Sequence, residues 1–127
     1  MALEHSLAVR SSAANAVVDS IDGGSGAGTF ILLTAADAEV ATLTFSDPAF
    51  GAASNGIATA ASITSDTSAT GNASAITKFE IRDSDATLIF EGTVTGTGGG
   101  GDIEMTNTTV ANGETVNCTS FSYTAMP

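Results

Sequence analysis

The sequence predicts a mainly β protein: an antiparallel β-sandwich or jelly-roll-like domain preceded by a short N-terminal α-helical arm. Three observations carry this expectation. From Thr29 onward, apolar, β-branched and aromatic residues recur with a period of two. Turn chemistry interrupts them at intervals of about ten residues. Before Gly23 the apolar spacing is helical instead.

In chain order, residues 1–22 form the arm. Leu3, Leu7, Ala14, Val17, Val18 and Ile21 lie at spacings that keep one helical face apolar, and the aliphatic stem of Arg10 can cover the gap in that stripe. The glycine-rich run 23–28 supplies a helix stop at Gly23 and then a flexible joint. The β domain occupies 29–127. Its first two strands are "TFILLT" and "EVATLTFS", in which Ala41, Leu43 and Phe45 alternate with Val40, Thr42 and Thr44 until Pro48 ends the run. Asn55-Gly56 is turn chemistry, and beyond it Ile57, Thr59, Ala61 and Ile63 share one face.

A hairpin follows. Phe79 and Ile81 point inward between Lys78, Glu80 and Arg82, Asp83 to Ala86 turn the chain, and Leu88, Phe90 and Val94 return inward with Glu91 outward. "GTGGGG" is a loop, "DIEMT" and "TTV" are short strands, and Asn112-Gly113 is a turn. In the last segment Val116 and Cys118 hold one phase and Phe121 and Tyr123 the other. Such a change predicts a bulge or a strand that bridges two sheets.

Composition narrows the function. At 127 residues the chain makes one domain that needs no metal or disulfide staple. Its hydrophobic fraction of 43% leans on Ala, and with 6 Phe, one Tyr and no Trp the core must be thin or be completed by another subunit. Fourteen acids against Arg10, Lys78 and Arg82 give a net charge of −11, which opposes nucleic acid and anionic membrane surfaces as partners. The start of the chain lacks the basic and apolar regions of a signal peptide, and no apolar run is long enough to span a bilayer. The three Asn-X-Ser/Thr matches, at Asn72, Asn107 and Asn117, are then coincidences of a chain rich in Ser and Thr.

The inventory for chemistry is sparse. His5 is the one histidine and Cys118 the one cysteine, which leaves no metal cluster, disulfide or nucleophile–base pair to assemble. Cys118 reads as a small core hydrophobe. Asp83, Asp85 and Thr87 imitate the opening of a calcium loop without its glycine or its distal acid, so a hairpin turn accounts for them. Asp102 and Glu104 share one face of a strand, where a solvated outer face accounts for both. The glycine runs lack the lysine and spacing of a phosphate loop. The expectation is a protein that is not an enzyme and uses no cofactor and no metal.

Pro48 and Phe50 leave two alternatives open. Phe50 is either an anchor for a partner's pocket or a cap on the domain's own thin core.

The phrases "TLTFSDPAFGAAS", "ITSDTSATGNA", "FEIRDSDATLIFEGTV" and the ending "SFSYTAMP" resemble a family of small virion structural proteins of tailed bacteriophages and prophages. The likeness covers most of the chain. It implies capsid decoration, or cementing, on the outer surface of the virion, after assembly in the bacterial host cytoplasm. The implied partners are the major capsid protein and further copies of the chain, as a homotrimer. A neck, tail or fibre position, or a surface glycan- or receptor-binding module, is the alternative. Leu3, Leu7, Ala14, Val17, Val18, Ile21, Pro48 and Phe50 are the candidate assembly contacts.

Overall fold

Ser6 opens the first element. Its backbone is extended and its hydroxyl accepts the Val9 amide at 3.3 Å, which satisfies one of the unpaired first-turn donors. In the computed structural model, which describes residues 3–127, the helix α1 spans Leu7–Asp19 and continues into a 3-10 turn, Ser20–Asp22, closed at Gly23. Eight strands follow: β1 Thr29–Thr34, β2 Glu39–Phe45, β3 Ile57–Thr59, β4 Ile63–Thr64, β5 Ile76–Arg82, β6 Leu88–Gly96, β7 Ile103–Met105 and β8 Ser122–Thr124. Six of them form one curled sheet in the order β4-β2-β1-β5-β6-β7, and β3 pairs with β8 in a second, small sheet. The protein is thus mainly β with one N-terminal helix, as the sequence predicts. The ladder between β6 and β7 is the exception to antiparallel pairing: it is parallel, with Val94, Thr95 and Gly96 opposite Ile103, Glu104 and Met105.

One core joins the large sheet to the small one. Phe30, Leu32, Leu43, Phe45, Phe79 and Ile81 share it with Ala58, Phe121 and Ala125, all nearly excluded from solvent. Phe121 is its hub, with ring centroids at 5.3 Å from Phe30, 5.9 Å from Phe50 and 6.1 Å from both Phe45 and Phe79. The opposite face of the large sheet also carries apolar residues. Ile31 lies between Thr42 and Glu80, and Leu33 between Glu39 and Lys78. Both are at most 5% exposed, and their register partners include the long side chains of Glu39, Lys78 and Glu80. Ion pairs of Lys78 with Asp37 and of Arg82 with Glu80 hold those stems in place.

Strand phase departs from simple alternation where the ladders slip. Leu32 opposes Ala41 and Leu33 opposes Glu39, so Val40 is the extra residue of a bulge and turns inward beside Ala41. Likewise Ile81 opposes Phe90 and Arg82 opposes Leu88. The slip leaves Leu88, expected inside, 47% exposed and Phe90 only partly buried. In β3 the inward residue is Ala58, and Ile57 faces out at 43% exposure. Asn55 and Gly56 do form the expected two-residue turn, both at positive φ, with Ser54 and Ile57 exchanging amide bonds of 2.9 and 3.0 Å. Pairing of Ala58 with Tyr123 across the small sheet then fixes the phase opposite to the expected one. The "TTV" segment is no strand, because Asn72 takes over: its side chain accepts from Val110 N at 2.8 Å and donates to Thr108 O at 3.1 Å.

The arm and joint are corrected as well. Ala14, Val18 and Ile21 are at most 1% exposed and belong to the same core as the sheets. Polar side chains of the helical segment tie it to the loop that precedes β3: Asn15 accepts from Ala53 N, Ser11 from Gly56 N and Asp22 from Ala49 N, at 2.8 to 3.0 Å. The stem of Arg10 packs over Gly56. The glycines of 23–28 permit close approach where the sequence suggests a free joint: the Gly26 amide donates to the Ser84 hydroxyl at 3.1 Å, and a Cβ on Gly28 would stand 2.4 Å from Ile21 Cγ2 and 2.7 Å from Arg82 O. Gly28→Ala is expected to destabilise by about 2 kcal/mol or more, because backbone must move. At Gly24 a Cβ meets the exposed side chains of Ser84 and Asp85, which can turn away at the loss of the Gly26–Ser84 bond, so Gly24→Ala should cost only about 1 kcal/mol. Urea denaturation of both variants checks the pair, and equal losses would contradict this packing.

Candidate functional site

Phe90 and Tyr123 stand on different sheets with their rings 5.3 Å apart, and neither is fully covered. They border a cleft of about 600 Å³ between β6–β7 and the C-terminal segment, with Phe79 and Phe121 beneath. A second lobe of about 370 Å³ adjoins it, bordered by Met105, Cys118 and Thr119 over Phe30, Leu32 and Leu43. Ile103, Glu104 and Ser120 border both lobes. The two together form an open groove along β7 that reaches down to the core.

The groove exists because of how β7 is reached. The chain leaves β6 at Gly96, doubles back through a glycine loop and sets out again in the same direction. Gly98 and Gly100, at φ of 84° and 81°, take the left-handed backbone that the reversal needs. Side chains then fasten the loop. The Glu104 carboxylate accepts from Gly98 N at 3.0 Å and Gly100 N at 3.2 Å, and the Asp102 carboxylate accepts from Thr93 N at 2.9 Å and from its hydroxyl at 3.0 Å. These bonds from Thr93, backbone first, hold the Asp102 carboxyl below its usual range. On the other wall, the phase change after Val116 is a crossing between sheets: Val116 bridges to Asp66 beside β4, and β8 joins β3.

Charge around the groove has one sign. Glu91, Asp102 and Glu104 border it, together with the hydroxyl residues Ser120, Ser122 and Thr124, and no Lys, Arg or His does. Burial pushes the Cys118 thiol up, and its Sγ lies 3.2 Å from Ser120 O, so it is a protonated wall residue at neutral pH. Among the described residues no three His, Cys, Asp or Glu side chains gather as a metal site. The Asp83 carboxylate accepts from the Asp85 and Thr87 amides at 2.9 Å, a turn held by its own side chain. His5 lies exposed, with Nδ1 3.2 Å from Pro127 O.

The candidate assembly contacts are scattered. Ala14, Val18, Ile21 and Phe50 are buried in the chain's own core, where Phe50 packs at 5.6 Å from Phe45, so a partner cannot reach them. This corrects the assembly reading for these four and leaves Phe50 as a core cap. Val17 is half-buried and Pro48 exposed. Leu7 at 53% is exposed on the first turn of α1, as is Val9, and Leu3 at 84% lies ahead of the helix. The groove residues Ile103, Met105 and Tyr123 were not expected as a site. The shift of phase between Cys118 and Phe121 was the signal that the chain changes sheets there and leaves a gap behind it.

Asp66 provides a pH-dependent clamp between segments. Its carboxylate accepts the Thr42 amide and the Ser68 amide at 2.9 Å, and these bonds, Thr42 first, hold its pKa below the usual value. A carboxyl depressed in the folded state stabilises above its unfolded pKa and loses that contribution as pH falls through the folded one. Asp66→Asn keeps one acceptor of two and should cost about 1 kcal/mol at pH 7, the group being partly solvated. The gap to wild type should shrink below the unfolded carboxylate pKa, in urea melts taken across that range. A gap independent of pH would show that the charge is not what binds these amides.

Compared with known proteins, the chain matches no protein-family model, no curated protein and no solved structure at a significant level.

Proposed function

We propose that the chain is a non-enzymatic structural protein of a bacteriophage virion, a capsid decoration or cement protein that binds the outer capsid surface as a homotrimer. The resemblance of its phrases to small virion proteins suggests the class. The observation that carries the reading is the surface. It bears a net charge of −11, and two of its three cations, Lys78 and Arg82, are held in ion pairs on the sheet's outer face. A hydroxyl- and carboxylate-rich exterior of this sign discourages clumping of particles and opposes packing against DNA or an anionic bilayer. Leu3, Leu7, Ile57 and Met126 are exposed apolar residues available for contacts with the major capsid protein or between copies.

A binding module on a tail, fibre or head surface is the second reading, and the aromatic groove favours it. Copy number separates the two. Particles purified from the strain that encodes the chain would be quantified by mass spectrometry against their major capsid protein, and imaged by electron microscopy. Hundreds of copies on the shell support decoration, a handful at one vertex supports the second reading, and none on the particle removes both.

A further inference from the structure

Two free strand edges border the groove beside β7. Among the described residues β7 pairs only with β6 and β8 only with β3, so each has an edge without a strand partner there. Such an edge is a template for another extended chain, which gains main-chain hydrogen bonds along it. The groove's two lobes succeed one another along β7, with Phe90 and Tyr123 at the first, Met105 and Cys118 at the second, and Ile103 bordering both. An extended peptide alternates its side chains, so residues i and i+2 fall on one side at a spacing of roughly 7 Å. That repeat suits two adjacent apolar lobes better than one compact ligand does.

Charge selects the occupant. The donors that satisfy Asp102 and Glu104 are neutral amides and a hydroxyl, so no cation of the chain compensates these carboxylates at the border, where Glu91 is a third. The chain's own cations are elsewhere: Lys78 pairs with Asp37, Arg82 with Glu80, and Arg10 packs over Gly56. A second copy, equally acidic and with its cations in the same places, does not complement this border. A partner segment rich in Lys or Arg does, and its cations can also lie over the Tyr123 and Phe90 rings.

We propose that the groove along β7 is a strand-docking site for an extended basic segment of a different protein, whose alternate apolar side chains fill the two lobes. This deepens the assembly reading above, since it names the chemistry of the surface that the chain would grip. The test is an amide NMR titration of the full chain with the acetylated, amidated peptide Lys-Val-Lys-Val-Lys. The acidic counterpart Glu-Val-Glu-Val-Glu and the neutral sugar maltohexaose run as separate arms.

The expected result is a set of shifts confined to 103–105 and 118–124 with the basic peptide alone, weakening as salt rises. Ser120 is exposed, its side chain makes no hydrogen bond among the described residues, and it borders both lobes. Ser120→Lys should therefore weaken binding about tenfold or more, and Ser12→Lys, which adds the same charge on the exposed side of α1 outside both lobes, should leave it close to wild type. If Ser120→Lys does not fold, Thr119→Lys, exposed on the second lobe, gives the same readout. Equal binding of the acidic peptide, shifts located elsewhere, or no peptide shifts would overturn the proposal, and shifts with maltohexaose alone would assign the groove to a glycan. Peptide binding by a chain absent from virions keeps the site and removes the assembly reading. Virion attachment that survives Ser120→Lys does the reverse.

Discussion

Deletion of residues 1–22 is expected to abolish cooperative folding of the remaining domain. The helical segment places Ala14, Val18 and Ile21 in the core at 0 to 1% exposure. Loss of the two larger side chains alone removes about 5 kcal/mol of burial, and the vacated core adds a cavity term. The total stability of a domain this size is typically about 5–15 kcal/mol. The deletion also strands the Ala49, Ala53 and Gly56 amides, which now donate to Asp22, Asn15 and Ser11. In the full-length chain, Ile21→Ala should cost about 2–5 kcal/mol in urea denaturation, whereas Leu3→Ser and Leu7→Ser should stay within about 0.5 kcal/mol. A truncated protein that melts cooperatively near the wild-type temperature would show that the helix is an accessory to the β domain. Should it also lose self-association, the arm would regain an assembly role.

The contrast between Leu7 and Ile21 shows how much of this fold is legible in the sequence. Helical spacing identifies an apolar face but not which part of it has a partner, and here only the C-terminal half of the helical segment lies over the core. Apart from the "TTV" segment, strand locations were legible because period-two patterns and turn residues are local signals: the Asn55-Gly56 turn and the Asp83 to Ala86 turn form where expected. Register was not. The slips at Val40 and Ile89 reverse the phase of single residues, and they depend on which strands become neighbours. The parallel course of β7 was hidden for a related reason. A glycine run says that the chain can reverse, but of the side chains that fix the reversal, Thr93, Thr95, Asp102 and Glu104, the two acids read as an ordinary solvated face and the two threonines carry no local signal. The groove follows from that placement, so it too was outside the reach of local pattern.

Phe121→Ala is expected to be the most damaging single substitution in the β domain, at about 3–5 kcal/mol. The ring sits among Phe30, Phe45, Phe50, Phe79 and Phe90, with centroids between 5.3 and 6.4 Å, mostly edge to face. Each such pair adds about 0.5–1.5 kcal/mol beyond area burial, although the pairs share one ring and do not sum. In a core this poor in large side chains, no neighbour can move in to fill the space, so the cavity persists. Position makes the loss greater. Phe121 immediately precedes β8, and its carbonyl accepts the Ala60 amide at 2.8 Å beside β3, so the ring and its backbone together hold the small sheet on the large one. Phe121→Leu, which refills most of the volume, should cost clearly less than the alanine variant. Phe90→Ala should also cost less, because that ring is only partly buried at the groove. Urea denaturation of the three variants gives the ranking. A loss below about 1 kcal/mol for Phe121→Ala, or a larger one for Phe90→Ala, would mean that the aromatic hub lies elsewhere and that the small sheet is held by other contacts.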